Sequence, residues 1–268
     1  MARPVIALLT DFGTRDHYAG AMKGVLLGIC PEAACIDITH DIAPHDILGG
    51  ALELAASYKY FPPGTVFLVV VDPGVGSARR PIAAEAAGYR FVAPDNGVLT
   101  LVFKDAPPRR VVELTGRRYA RPTVSRTFEG RDLFAPAAAW LAKGIDLAGL
   151  GRTVTSWQVL AVPEPVVTDR EILAEVLRVD RFGNLVTNID RPTFERFAGG
   201  GPKEIVAATE SVGRVVAAYA DADPESLCAL FGSSEHLEIA VNGGNAAERL
   251  RLARGGCVSV LRAPESFA

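Results

Sequence analysis

Short apolar runs recur along the first half of the chain, and polar turns rich in Asp, Asn, Gly and Pro close several of them. Pro4 to Thr10 reads as a strand ending at Asp11-Phe12-Gly13-Thr14. From Tyr18 to Ile29 the apolar positions Ala19, Met22, Val25, Leu26 and Ile29 fall at helical spacing. A second strand is predicted over Ala34–Ile38, and a helix over Asp46–Tyr60 that Pro62-Pro63-Gly64 ends. The β-branched run Thr65–Val71 has the continuous apolar character of a strand buried on both faces, and it stops at Asp72-Pro73-Gly74. Ile82–Ala86, Tyr89–Ala93 and Arg109–Leu114 follow as strands. A helix is predicted over Leu133–Lys143 with Asp132 as its N-cap. Strands alternating with helices predict an α/β N-terminal domain with a mostly parallel central sheet and right-handed crossovers.

From about Thr153 to Thr168 the alternation lapses, interrupted by Pro163 and Pro165. The expected division is an α/β domain over 1–155, a linker over 156–170 and a smaller, mostly-β C-terminal domain over 171–268. A chain of 268 residues favours two cores over one. The second domain is expected to hold strands at Ile172–Val179, Leu185–Ile189, Glu204–Val206, Gly213–Tyr219, Leu237–Val241 and Cys257–Leu261. Short helices are expected at Asp190–Phe197 and Ala246–Leu250.

Composition narrows the function classes. Hydrophobic residues make up 49% and charged residues 22%, ordinary for a globular protein. A net charge of −3 without basic runs gives no electrostatic case for nucleic acid, and no apolar run approaches a membrane span. The start of the chain lacks a signal-peptide layout, which suggests a cytoplasmic protein. Cys30, Cys35, Cys228 and Cys257 lack metal-like spacing and read as buried thiols in a reducing compartment.

Ligands of open α/β sheets sit beyond the carboxyl ends of the strands, which is where Asp11 and Asp72 are expected. After Asp72, a loop with two glycines can fold back and set the Arg79 guanidinium beside the carboxylate, keeping it ionised. The plainer alternative is a turn-starting Asp and a solvated Arg. Asp95 reads as a turn residue, and Arg131 as a structural ion-pair partner. The chain has no G-x-G-x-x-G after the first strand, no Walker loop and no G-x-S-x-G elbow. His17, His40, His45 and His236 lack metal-ligand spacing.

Several polar turns stand in a distinctive order: Thr10-Asp11-Phe12-Gly13-Thr14 with Asp16 and Lys23-Gly24, the Asp72-Pro73-Gly74-Val75-Gly76 loop, Ala93-Pro94-Asp95-Asn96-Gly97, and Thr127-Phe128 followed by Gly130-Arg131-Asp132. The second half adds Phe182-Gly183-Asn184 with Thr187-Asn188, and Gly232-Ser233-Ser234 with Glu238-Ile239-Ala240-Val241-Asn242. Together they resemble the S-adenosylmethionine hydroxide adenosyltransferases, also called (R)-S-adenosylmethionine hydrolases, which are related to fluorinase and chlorinase. The resemblance covers nearly the whole chain. It implies hydrolysis of S-adenosylmethionine to adenosine and L-methionine by water-derived attack at ribose C5′, with no cofactor and no metal. It also implies a homotrimer with sites at subunit interfaces. Asp11 carries over as the ribose ligand, and Asp16, Phe182, Asn184, Ser233, Glu238 and Val241 as contacts to the rest of the substrate. Asp72 and Arg79 match two members of the family's water-activating Asp, Arg and His. The His position is occupied by Glu129. Glu129 is then either a working substitute or the mark of a chain that binds S-adenosylmethionine or adenosine with weak or no turnover. A halide-using synthase is the remaining rival, disfavoured because carboxylates repel a desolvated anion.

Overall fold

The computed structural model describes residues 3–199 and 203–262, and the chain divides into two compact units, residues 1–161 and 162–268. The first unit contains strands β1 (Val5–Thr10), β2 (Ala34–Thr39), β3 (Val66–Val70), β4 (Pro81–Ala86), β5 (Tyr89–Pro94), β6 (Arg110–Leu114) and β7 (Gly151–Thr153). Its α-helices are α1 (Tyr18–Ile29), α2 (Ile47–Ser57), α3 (Thr100–Asp105) and α4 (Ala135–Ala142). The strands form one sheet in the order β2-β1-β3-β5-β4-β6-β7.

The sheet is mixed, which corrects the expectation of a mostly parallel one. The pairs β1–β2, β1–β3 and β3–β5 are parallel, whereas β4–β5, β4–β6 and β6–β7 are antiparallel. The cause is local. Ala87 and Gly88, at φ of 53° and 82°, close a two-residue hairpin between β4 and β5, leaving no room for a crossover helix.

Both faces of the parallel half are buried. Ile6, Leu8, Leu68 and Val70 pack with Met22 and Leu26 of α1 and Ala135 and Ala138 of α4. The intervening Ala7, Leu9, Phe67 and Val69 pack with Leu54 of α2 and Val102 of α3. Period-2 alternation thus feeds two cores, and each large buried side chain contributes roughly 1.5–3 kcal/mol.

Three further differences have plain causes. Asp46 caps α2, its carboxylate accepting from Gly49 N at 2.9 Å, and Tyr58–Tyr60 form a separate 3₁₀ turn. Helix α3 was not anticipated, because six residues are too few to show a helical period. Asp132 is not an N-cap. It sits inside a π-helical turn, Gly130–Phe134, that leads into α4, and its buried carboxylate accepts from Ser125 N (2.9 Å) and from Arg131 Nε and Nη2 (2.7 and 2.8 Å). Arg131 therefore has the structural role expected of it.

The second unit contains β8 (Val166–Val167), β9 (Glu171–Val179), β10 (Leu185–Asp190), β11 (Lys203–Ala207), β12 (Glu210–Val212), β13 (Leu227–Phe231), β14 (His236–Val241) and β15 (Cys257–Arg262). Helices α5 (Arg191–Ala198) and α6 (Ala246–Leu250) cover short stretches. The strands run β12-β11-β15-β9-β10-β14-β13 in a nearly closed antiparallel sheet, with β8 paired to β9. The expected strand at Gly213–Tyr219 is not formed. Only Val215 makes a bridge, to Ala229, while Val216 packs on Cys228, Leu230 and Ala240. The apolar residues there record that packing rather than a ladder, and the actual strands are β12 and β13.

All four cysteines are free, but only Cys30 and Cys228 are buried. Cys35 is half-buried and Cys257 exposed, which corrects the expectation of four buried thiols. Among the described residues no helix is long and apolar enough to cross a membrane.

Candidate active site

The register of the parallel strands sets the first group of candidates. Thr10 of β1 pairs with Val70 of β3, so Asp11 and Asp72 leave the same edge of the sheet from neighbouring strands. Asp72 is nearly closed to solvent, its side chain 4% exposed. The following loop is compact, with Val75 N donating to Asp72 O (3.2 Å) and Ser77 N to Gly74 O (3.0 Å). Gly76, at φ 74°, is required: a Cβ there would lie 2.6 Å from Arg126 O, and Arg126 Nη2 in turn donates to Gly76 O at 2.7 Å. That contact ties the loop to the segment carrying Glu129.

At the loop's end Arg79 turns back. Its Nε donates to both oxygens of Asp72 at 2.9 Å, and its Nη2 reaches Asp72 Oδ2 and Glu129 Oε2. The guanidinium carbon lies 5.1 Å from the Phe134 ring centre. Burial would depress the Arg79 guanidinium, but the hydrogen bonds from Asp72 and the charges of Asp72 and Glu129 outweigh it and hold it above the usual arginine value. The arginine is thus a fixed cation between two carboxylates, and the cluster carries a formal charge of −1 when both acids are ionised. The sequence pairing of Asp72 with Arg79 is realised, and Glu129, fifty residues on, joins it.

Asp11 is half-buried, with Oδ2 accepting from His45 N at 2.9 Å. The turn beneath it is braced by a histidine whose sequence spacing gives no metal-ligand pattern. Buried His40 places Nδ1 2.8 Å from Thr10 Oγ1 and Nε2 3.0 Å from Asp37 Oδ1, and its carbonyl accepts from Gly13 N at 2.7 Å. Asp16 is exposed on the turn before α1. Phe128, next to Glu129, meets Tyr18 and Phe12 edge-on at 5.1 and 6.1 Å between ring centres, an aromatic group that the polar motifs did not signal. Asp95 is structural: Arg80 Nε and Nη2 donate to its Oδ2 (2.9 and 2.5 Å), and Gln158 N to its Oδ1 (2.8 Å). Asn96 Nδ2 donates to Val71 O at 2.8 Å, fixing the main chain just ahead of Asp72.

The second unit gathers its own polar group. Asn184 is buried, and its Nδ2 donates to Asp180 Oδ2 at 2.9 Å and lies 3.4 Å from Tyr219 Oη. Tyr219 Oη donates to buried Glu238 Oε2 at 3.0 Å. Burial pushes the Glu238 carboxyl up, against the opposing pull of Tyr219's hydrogen bond. A Cβ on Gly232 would lie 1.8 Å from Glu238 Oε1, so only glycine admits this carboxylate. Asp180 and Tyr219, which hold Asn184 and Glu238, were not singled out by the sequence. Phe182 stands out from the turn at 75% exposure, a large apolar ring left open to contact. Ser233 is exposed, and Val241's side chain belongs to the core. Among the described residues no group of three or more His, Cys, Asp or Glu could hold a metal ion.

Fold and side chains together define a two-domain protein: a mixed α/β sheet with an acid–guanidinium–acid cluster at its strand ends, and an antiparallel β unit with buried polar loops. The chain belongs to the SAM hydroxide adenosyltransferase family, whose N-terminal domain matches residues 6–151 and C-terminal domain residues 174–259. It is 39% identical to an (R)-S-adenosyl-L-methionine hydrolase of Thermus thermophilus, over 97% of this chain and 100% of that protein. An (R)-S-adenosyl-L-methionine hydrolase of Salinispora tropica is also 39% identical, over 94% of this chain and 95% of that protein. A fluorinase of an Actinoplanes species is 28% identical, over 97% and 98%. The crystal structure of an uncharacterized conserved protein from Thermotoga maritima superposes with a TM-score of 0.91 at 37% identity, covering 96% of this chain and 100% of that one.

Proposed function

We propose that this chain is a hydrolase that converts (R)-S-adenosyl-L-methionine to adenosine and L-methionine by attack of water on ribose C5′. The observation that carries this reading is the Asp72–Arg79–Glu129 cluster. A sulfonium is already a good leaving group, so the protein has no leaving-group acid to supply. Its tasks are to aim a water along the C5′–S axis and to accept a proton as the bond forms. Two carboxylates on one guanidinium leave a formal negative charge that complements the sulfonium and opposes entry of a halide. Asp11 is assigned to the ribose hydroxyls, and Asp16, Phe182, Asn184, Ser233, Glu238 and Val241 to the adenine and methionine ends. No cofactor enters this scheme.

The reading includes a homotrimer with sites at subunit interfaces, for which light scattering should give three times the 28.4 kDa chain mass. It also includes a cytoplasmic location, in keeping with four free thiols. Incubation with resolved sulfonium epimers tests the activity: adenosine and methionine should form in equal amounts, faster from the R epimer. A 5′-halogenated nucleoside as product would refute it. A second reading, a protein that binds S-adenosylmethionine without turnover, rests on Glu129 standing where the family pattern has His. Tight binding with no adenosine released would favour it.

A further inference from the structure

We propose that Glu129, rather than Asp72, is the proton acceptor of the reaction, and that Asp72 and Arg79 are positioning residues that hold it. This assignment rests on the hydrolase reading above. A general base must offer a lone pair that is not already committed. Asp72 is the more heavily committed carboxylate, with three of its roughly four acceptor positions taken: Oδ1 accepts from Arg79 Nε at 2.9 Å, and Oδ2 accepts from Nε at 2.9 Å and from Nη2. Glu129 is held by one oxygen only. Its Oε2 takes Arg79 Nη2, while Oε1 accepts no hydrogen bond from any described residue. The side chain is also the more open of the two, 16% exposed against 4% for Asp72.

The supports of Glu129 fit a fixed but unsaturated base. Phe128 before it is buried among Phe12 and Tyr18, and at Gly130 after it an added Cβ would sit 3.3 Å from Met22 Sδ. The main chain at Glu129 is therefore held on both sides, and Arg79 fixes one carboxylate oxygen, leaving the other as the acceptor. The step balances. A water lone pair forms the O–C5′ bond, and the C5′–S bond breaks with its electron pair going to sulfur as the neutral thioether of methionine. The released proton goes to Glu129 Oε1. The sulfonium charge and the cluster's formal −1 cancel together as the attack proceeds.

The test compares Glu129→Gln, Glu129→Asp, Glu129→His and Asp72→Asn by kcat against pH, with the affinity for S-adenosylmethionine measured by calorimetry. Glu129→Gln should lower kcat about 10²- to 10⁴-fold while affinity changes only severalfold, and the acid limb of the kcat profile should vanish. Glu129→Asp should keep that limb at a lower rate. Glu129→His should recover part of the rate, with the limb displaced toward the ordinary imidazole value of about 6.5. Asp72→Asn should be slower yet keep the limb. A Glu129→Gln enzyme within threefold of the parent kcat, or loss of the limb in Asp72→Asn alone, overturns the assignment while leaving the hydrolase reading intact. A parent chain that binds S-adenosylmethionine and releases no adenosine overturns both.

Discussion

Replacing Arg79 with Met removes the cation at the centre of the cluster while keeping an apolar stem on Phe134. The substitution deletes three N–H···O contacts to Asp72 and one to Glu129. It leaves two carboxylates, 4% and 16% exposed, facing each other without a counter-charge. Stripping one partner from a buried ion pair costs about 3–5 kcal/mol, and proton uptake by one carboxylate recovers part of this, so a loss of about 3 kcal/mol is expected near neutral pH. The sign with pH follows from the groups involved. Arg79's folded value is raised above the ordinary arginine value, so its contribution in the parent is constant across the working pH range. In the variant the two like charges repel without a counter-charge, so the deficit should be smaller at about pH 5 than at about pH 8. Both tryptophans, Trp140 and Trp157, lie in the first unit, so urea unfolding followed by their fluorescence reports on this domain. A variant within 0.5 kcal/mol of the parent at both pH values, on the order of the noise in such differences, would refute the argument.

Three smaller perturbations probe the scaffold. Gly76→Ala forces a Cβ against Arg126 O at a positive φ, and should cost about 1–3 kcal/mol in the tryptophan-monitored transition; a neutral result contradicts the loop clamp. Arg131's hydrogen bond, working against burial, holds the Asp132 carboxyl below its ordinary 3.8, so its stabilisation is present above 3.8 and lost as pH falls below it. Asp132→Asn should cost about 2–3 kcal/mol near neutrality and progressively less in acid, as read by denaturation at a series of pH values. Tyr219→Phe removes the hydrogen bond that pulls Glu238 down, so the carboxyl should titrate at higher pH by carbon-13 NMR, and an unmoved or lower midpoint would contradict the network.

The parts legible in the sequence were those where one residue reports on one partner at a regular spacing. Helix α1 and strand β3 show their period directly, and Asp72 and Arg79 could be paired because two glycines between them let the chain fold back. The hairpin at Ala87-Gly88 was hidden by its shortness, and the strand direction it reverses changed the class of the whole sheet. Val216 misled because an apolar residue packing in a small satellite core looks like one member of a strand. The site's supports were least visible. Tyr219 and His40 act through hydrogen bonds to Glu238 and Thr10, 19 and 30 positions away, and Asp180 through a local turn closed on Asn184, none of which leaves a periodic trace. Glu129 was found through a resemblance, and only the folded chain joins it to Arg79 across fifty positions.

The most direct test of the central claim is turnover of S-adenosylmethionine in water labelled with the heavy oxygen isotope, followed by mass spectrometry of the nucleoside. Attack by water at C5′ predicts adenosine carrying one heavy oxygen, lodged in the 5′-hydroxyl, and unlabelled L-methionine. Adenosine without label, or a 5′-halogenated nucleoside in its place, would contradict the account.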